Sequence, residues 1–188
     1  MAALANRVMN GAVFIYPTET IYGIGGRADN PAVEKRIRSI KERQKASPFI
    51  LIAADKKYFY SFDLLFTANA TLLSKKYWPG NLTLILPSNN IPDGVGVRIS
   101  DHPFITALYN KLDVPIFSTS ANLSDQPYVN DPDEIFKVFN GKVDFIIDAG
   151  KLPESKPSTV VKINEDGSVE VVREGIVPNT AILKVLEK

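Results

Sequence analysis

Short apolar runs recur along the chain at strand length and are separated by polar or turn-forming residues. Val13 to Tyr16, Phe49 to Ala53, Leu82 to Pro87, Val95 to Ile99, Pro115 to Ser118, Phe145 to Asp148, Thr159 to Ile163 and Val169 to Arg173 are rich in β-branched and aromatic residues, which predicts strands. Val95 to Ile99 alternates most clearly. Period two puts Val95, Val97 and Ile99 on one face and Gly96 and Arg98 on the other. Between these runs the period changes to that of a helix. After Asn30-Pro31, the residues Val33, Ile37 and Ile40 share one face, Lys35, Arg36 and Arg38 lie elsewhere, and the helix runs into Lys41. In Asp131-Pro132-Asp133-Glu134, Asp131 reads as the cap, Pro132 as the first helical residue and Glu134 as the partner in a capping-box-like arrangement. Ile135, Val138 and Phe139 form its apolar face. Asp101-His102-Pro103 opens another helix, capped by Asp101 or His102, and Trp78-Pro79-Gly80 closes one.

Strands and helices alternate over the first 150 residues, whereas Asn164-Glu165-Asp166-Gly167 reads as a hairpin between the last two strands. The expectation is an α/β (α+β) fold with an open, twisted, mixed sheet flanked by helices, forming one domain over residues 1–188. No repeat or linker divides the chain. Thr18 to Asp29, Glu42 to Pro48, Ser120 to Asn130 and Lys151 to Pro157 are irregular, and are expected to be the functional loops of that domain.

Composition narrows the chemistry. With 188 residues, 45% hydrophobic and 23% charged, the chain can bury one sizeable core. Its 22 basic and 21 acidic residues give a net charge of +1, so any anion site must come from local clustering. The absence of cysteine excludes disulfides, thiolate nucleophiles and Cys-based metal sites. His102 is the single histidine, which argues against a Ser-His-Asp triad, and it reads as structural. No run approaches the roughly 20 apolar residues of a membrane span, and no secretory pattern opens the chain, so a soluble cytoplasmic protein is expected.

The usual phosphate motifs are missing. Tyr22-Gly23-Ile24-Gly25-Gly26 lacks the dinucleotide spacing, and neither Gly141-Lys142 nor Gly150-Lys151 is followed by the Ser or Thr of a P-loop. Other segments can hold an anion. Lys41 and Arg43 lie two apart in a stretch expected to be extended, where both could grip a polyphosphate or simply complement a helix C-terminus. Pro17-Thr18-Glu19-Thr20 follows an apolar strand, the place where open α/β sheets bind ligands, although its hydroxyls could equally close a plain turn. Ser118-Thr119-Ser120-Ala121-Asn122 offers three hydroxyls and an amide with little bulk, suited to phosphate or ribose or to capping. Arg98, beside Gly96, could reach a ligand carboxylate or be a solvated strand residue.

In order along the chain, PTETIYGIGG from Pro17, Lys41-x-Arg43, YWPGNLTLILP from Tyr77, VGVRISDHP from Val95, STSANLS from Ser118, IDAG from Ile147, PSTVVKI from Pro157 and VREG from Val172 closely resemble the YrdC family of threonylcarbamoyl-AMP synthases. The resemblance covers almost the whole chain. It implies a concave basic cleft and the conversion of L-threonine, bicarbonate and ATP to threonylcarbamoyl-AMP and pyrophosphate. It also implies Mg²⁺ carried by ATP rather than held by a protein metal site. The product would pass to TsaD with TsaB and TsaE, so that tRNA is met indirectly. Carried over by position, Lys41 and Arg43 would be catalytic and hold the triphosphate. Ser120, Asn122 and Arg173, with Ser47, would contact ATP, and Thr18, Arg98, Ser118 and Ser158 would hold threonine.

A carbamate is a short-lived nucleophile, so positioning and exclusion of water matter more than a covalent residue. Ala at Lys41 or Arg43 is therefore expected to stop adenylate formation with little loss of folding. Two features depart from many relatives. Ile52 stands where they carry a threonine-contacting histidine, and the chain ends at Lys188 like the short form of the family. The alternative is an RNA-binding module using the same basic cleft, which near-neutral charge and the lack of an aromatic RNA-binding run disfavour.

Overall fold

A computed structural model describes residues 1–42, 49–124 and 126–187. Nine strands form one mixed sheet: β1 (Phe14–Tyr16), β2 (Gly23–Gly25), β3 (Ile50–Ala53), β4 (Leu82–Leu86), β5 (Val95–Ile99), β6 (Ile116–Ser120), β7 (Phe145–Ile146), β8 (Thr159–Ile163) and β9 (Val169–Arg173). Their spatial order is β7-β1-β2-β6-β3-β5-β4-β8-β9. Pairings β1–β7, β3–β5 and β4–β8 are parallel and the others antiparallel, so the mixed sheet expected from the hairpin is present.

The helices are α1 (Ala2–Met9), α2 (Pro31–Ile40), α3 (Ala68–Tyr77), α4 (Pro103–Tyr109), α5 (Pro132–Phe139) and α6 (Asn179–Leu186), with a 3₁₀ helix over Lys56–Phe62. Their starts follow capping chemistry. The Asn30 side chain accepts from the Ala32 N–H, Thr67 from Ala70 and Asp131 from Asp133. Glu134 does not close a capping box. It pairs instead with Lys137 at 3.1 Å on the exposed face. At α4 the cap is His102, whose Nδ1 accepts from the Phe104 N–H at 3.2 Å.

The register sorts side chains onto two faces. Across neighbouring strands Ile15 meets Ile24, Leu51 meets both Phe117 and Val97, and Leu84 meets Val97 and Val161. All are buried, which makes this face an apolar layer interrupted by Thr119, the partner of Ile24 on β6. On the other face the cross-strand partners are Tyr16 with Gly23, Gly23 with Ser120, Ile50 with Ser118, Ile52 with Arg98, Ile85 with Gly96, Thr83 with Val160, and Val160 with Arg173. At one end Phe104 of α4 covers this second face, with its ring 6.0 Å from that of Tyr16 and 6.4 Å from that of Phe14. Toward the middle the side chains are small, and the sheet opens into a cleft.

Candidate functional site

The cleft has a volume of about 380 Å³ and a floor made by one face of the sheet. Gly23, Ser118, Ser120 and Thr83 leave space there that larger residues would fill. Ile50 also lies on the floor, because a Cβ on Gly96 would come 3.3 Å from the Ile50 side chain. The 18–22 turn forms one wall, and Pro157, Ser158 and Arg173 form the other.

Thr18, Arg98, Ser118, Ser120, Ser158 and Arg173 meet in this one cleft, although they come from widely separated parts of the chain. Lys41 and Asn122 stand outside its lining. Arg43 and Ser47 lie outside the described residues. The expected extended geometry around Lys41 is replaced by a tight one. Lys41 caps α2 with φ −83° and ψ −5°, and Glu42 takes a left-handed φ of 55°. A helix that ends against β6 has to turn sharply, and this turns the Lys41 side chain inward. At 3% exposure it is buried, and its ammonium donates to the Ser120 carbonyl (2.6 Å), the Asn122 carbonyl (2.7 Å) and Asn122 Oδ1 (3.0 Å). The Ser120 hydroxyl also donates to Asn122 Oδ1 at 2.5 Å. Lys41 therefore ties down the end of β6 from behind, and the expectation that its loss would leave folding intact does not fit this burial.

Thr18 closes its own turn. Its hydroxyl donates to the Ile21 carbonyl at 2.7 Å and accepts from the Ile21 and Thr20 N–H groups. Tyr22 fixes the next segment by donating to the Gly150 carbonyl at 2.8 Å and accepting from the Ala149 N–H at 2.9 Å. Ser158 shares a hydrogen bond with the fully buried Thr83 hydroxyl at 2.9 Å, and its carbonyl accepts from Arg173 Nη2 at 2.9 Å. Ile52 is 1% exposed and off the cleft lining, whereas Ile50, two residues earlier, is on it.

The cleft is cationic. Burial holds the Arg98 guanidinium below its ordinary pKa, with the Glu19 carboxylate pulling the other way. Burial does the same to Arg173, and the like charge of Arg98 adds to it. Arginine stays protonated in proteins, but Arg98 is paired with the Glu19 carboxylate, so the net positive charge that faces a ligand comes mainly from Arg173. Beside the floor, on the same face of the sheet, burial pushes the Tyr16 phenol far up. Its hydroxyl has no hydrogen-bond partner among the described residues, although Ser118 is close enough to act in the opposite direction. The turn from Pro17 to Gly25, singled out in the sequence, supplies Thr18, Thr20, Ile21, Tyr22 and Gly23 to the lining, whereas Ile50, Thr83 and Tyr128 carry no signal in the sequence that marks them. The parity of residues across paired strands would have found Thr83 and Ile50, but only once the strand order was known.

A mixed sheet with one apolar face and one face opened into a small, hydroxyl-rich, cationic cleft defines a ligand-binding α/β protein whose site is built across strands. Residues 6–175 match the Sua5/YciO/YrdC family model, described as "Telomere recombination", and the chain belongs to that family. A Methanocaldococcus jannaschii relative is 39% identical over 185 residues, 93% of this chain and 85% of that one. The threonylcarbamoyl-AMP synthase of Pyrococcus abyssi is 32% identical over 190 residues, and this chain spans 56% of its length. The structure of P. abyssi Sua5 complexed with L-threonine superposes with a TM-score of 0.90 at 30% identity, covering 98% of this chain and 56% of that one. Escherichia coli YciO gives a TM-score of 0.83 at 29% identity over 96% of this chain and 91% of that one.

Proposed function

We propose that this chain is a threonylcarbamoyl-AMP synthase, a nucleotidyltransferase that condenses the amine of L-threonine with bicarbonate to a carbamate, releasing water, and joins that carbamate to the AMP part of ATP with release of pyrophosphate. The observation that carries the reading is the meeting of Thr18, Arg98, Ser118 and Ser158 with Ser120 and Arg173 in one cleft. Relatives named for this activity, and a neighbour crystallised with L-threonine, support it. Arg98 offers a cation for the amino-acid carboxylate, and the Ser118 and Ser158 hydroxyls offer polar partners for the threonine hydroxyl, a discrimination stronger than fitting a methyl group. Arg173, the Ser120 end of β6 and the Arg43 segment would receive the polyphosphate, and residues 1–188 would act as one YrdC-like unit.

The chemistry asked of the protein is orientation. The carbamate oxygen attacks the α-phosphorus, the bond from that phosphorus to the bridging oxygen breaks, and pyrophosphate leaves with the electron pair. Fixed cations lining the cleft meet the charge that develops. Mg²⁺ would enter with ATP. Among the described residues no group of three or more His, Cys, Asp or Glu side chains could hold a metal, and Glu19, in the turn that walls the cleft, is engaged by other donors.

The product would supply the threonylcarbamoyl group for adenosine beside the tRNA anticodon through TsaD, TsaB and TsaE, in the cytoplasm. No described helix is long and apolar enough to cross a membrane. The reading is tested by incubating the pure protein with ATP, bicarbonate and each of threonine, serine and valine, following pyrophosphate and the acyl-adenylate mass. Product with threonine is expected, and none with threonine overturns the proposal. Salt-steep RNA binding without ATP turnover would favour the RNA-binding alternative.

A further inference from the structure

Glu19 lies in the turn beside the cleft and is surrounded by donors. Its Oε2 accepts from Arg98 Nη2 at 2.7 Å. Its Oε1 accepts from the Ser100 hydroxyl and from the Asp101 and His102 N–H groups at 3.1 and 3.2 Å. An ionised carboxylate has about four lone-pair sites, two on each oxygen, and here Oε1 is saturated by three donors while Oε2 is committed to Arg98. Glu19 thus joins three things: the turn it belongs to, the end of β5, and the start of α4.

Arg98 is held from every side. Its Nε donates to the Gly80 carbonyl at 2.9 Å, Nη1 to the Thr20 hydroxyl at 3.4 Å, and Nη2 to Asn81 Oδ1 at 3.2 Å as well as to Glu19. A guanidinium has five N–H donors, and the second Nη1 hydrogen alone lacks an acceptor among the described residues. The side chain is 7% exposed, yet it lines the cleft.

We propose that Glu19 is a positioning residue that locks the Arg98 guanidinium in one orientation, leaving a single Nη1 hydrogen for the substrate carboxylate. The inference rests on the proposed function. It also changes the picture of amino-acid recognition in that function. Arg98 and Glu19 largely cancel each other's charge, so the carboxylate is recognised by the direction of one donor and not by a free, bidentate arginine fork. The remaining selectivity has to come from the hydroxyls around it.

The test is Glu19→Gln, assayed by pyrophosphate release with ATP and threonine varied separately, and by calorimetric titration of L-threonine. The amide must turn its NH₂ either toward Arg98 or toward the Ser100 to His102 donors, so one set of donors meets another donor. A rise of about ten- to a hundredfold in KM and Kd for threonine is expected, the factor associated with one charge-assisted hydrogen bond. KM for ATP should change less than about threefold, a split that a merely structural role would not produce.

Wild-type threonine affinity in Glu19→Gln overturns the proposal, as does an equal loss for threonine and ATP. Should Glu19→Gln fail to fold, Glu19→Asp takes its place. That side chain keeps the charge but is one methylene shorter and cannot span from Arg98 to α4, so an unchanged threonine Kd in it overturns the proposal too. A wild-type chain that binds threonine but releases no pyrophosphate counts against the proposed reaction alone, and the role of Glu19 is then read from Kd. One that binds no threonine overturns both.

Discussion

The Lys41 ammonium donates to the Ser120 carbonyl at 2.6 Å across 79 residues of sequence, and by this bond the end of α2 holds the last residue of β6 in place. Charged hydrogen bonds of this kind contribute about 1.5–3 kcal/mol, and unpaired buried acceptors are costly. Lys41→Met is therefore expected to lower the unfolding free energy by about 2–3 kcal/mol in urea titrations, and to lower turnover at least about tenfold as the Ser120 to Asn122 segment loosens. Full stability with lost turnover would instead assign Lys41 to the ligand alone.

Thr83→Val separates support from contact. Valine keeps the shape of a fully buried threonine on β4 but removes the partner of the Ser158 hydroxyl. A loss of about 1–3 kcal/mol in stability is expected. KM for threonine should rise because Ser158 is left free to rotate. An unchanged KM would show that the orientation of Ser158 does not matter to binding.

His102 gives stability a pH dependence. Burial lowers its pKa below the ordinary value, and Glu19 and Asp101 offset this only partly, while Arg98 reinforces it. The unfolded chain therefore takes up this proton first as pH falls. This contribution to stability is complete above about pH 6.5 and is lost as pH falls from there through the lowered folded value. The lost species is the neutral ring whose Nδ1 caps Phe104. Urea midpoints measured between about pH 7.5 and 5 should fall, and His102→Asn, which keeps a cap without titrating, should flatten the slope. An equally steep slope in that variant would place the titration elsewhere.

Two glycine substitutions should behave very differently. A Cβ on Gly25 would lie 1.9 Å from the Phe117 carbonyl oxygen, and neither backbone can yield without breaking the β2–β6 junction. Gly25→Ala is expected to cost about 3 kcal/mol or more, or to prevent folding. Gly141 has open space around it but a φ of +76°, so Gly141→Ala should cost only about 1–2 kcal/mol. Thermal melts of the two variants make the comparison.

Much of this fold is written in alternation, and the limits of that signal are physical. The bounds read from the sequence for β5, β8 and β9 agree with the structure because short valine-rich runs, alternating in β5, are bounded by polar or turn-forming residues. Gly23-Ile24-Gly25 looks like part of a loop in the sequence, since two of its three residues carry no side chain to alternate, yet it forms β2. β6 continues through Ser118, Thr119 and Ser120, which look like a polar turn but pair with β2 and β3. Arg98 was visible as the odd residue of an apolar strand. Its partner Glu19 was not, because 79 residues separate them and only the assembled sheet brings them together. Lys41 looked like an ordinary cation at a helix end, because its acceptors on the Ser120 to Asn122 segment are equally remote.

Tyr16 lies over the strand beside it so closely that a Cβ on Gly23 would come 3.2 Å from its ring, and one on Gly25 3.3 Å. The ring occupies the volume that those two residues give up. A smaller side chain at position 16 would leave a void beside the cleft floor, and a larger one at position 23 would push the ring out of register with Phe104. In the course of sequence drift these positions are therefore not independent. A lineage that reshapes this part of the floor must change Tyr16 and Gly23 together, and every path through a single intermediate passes through a less stable protein.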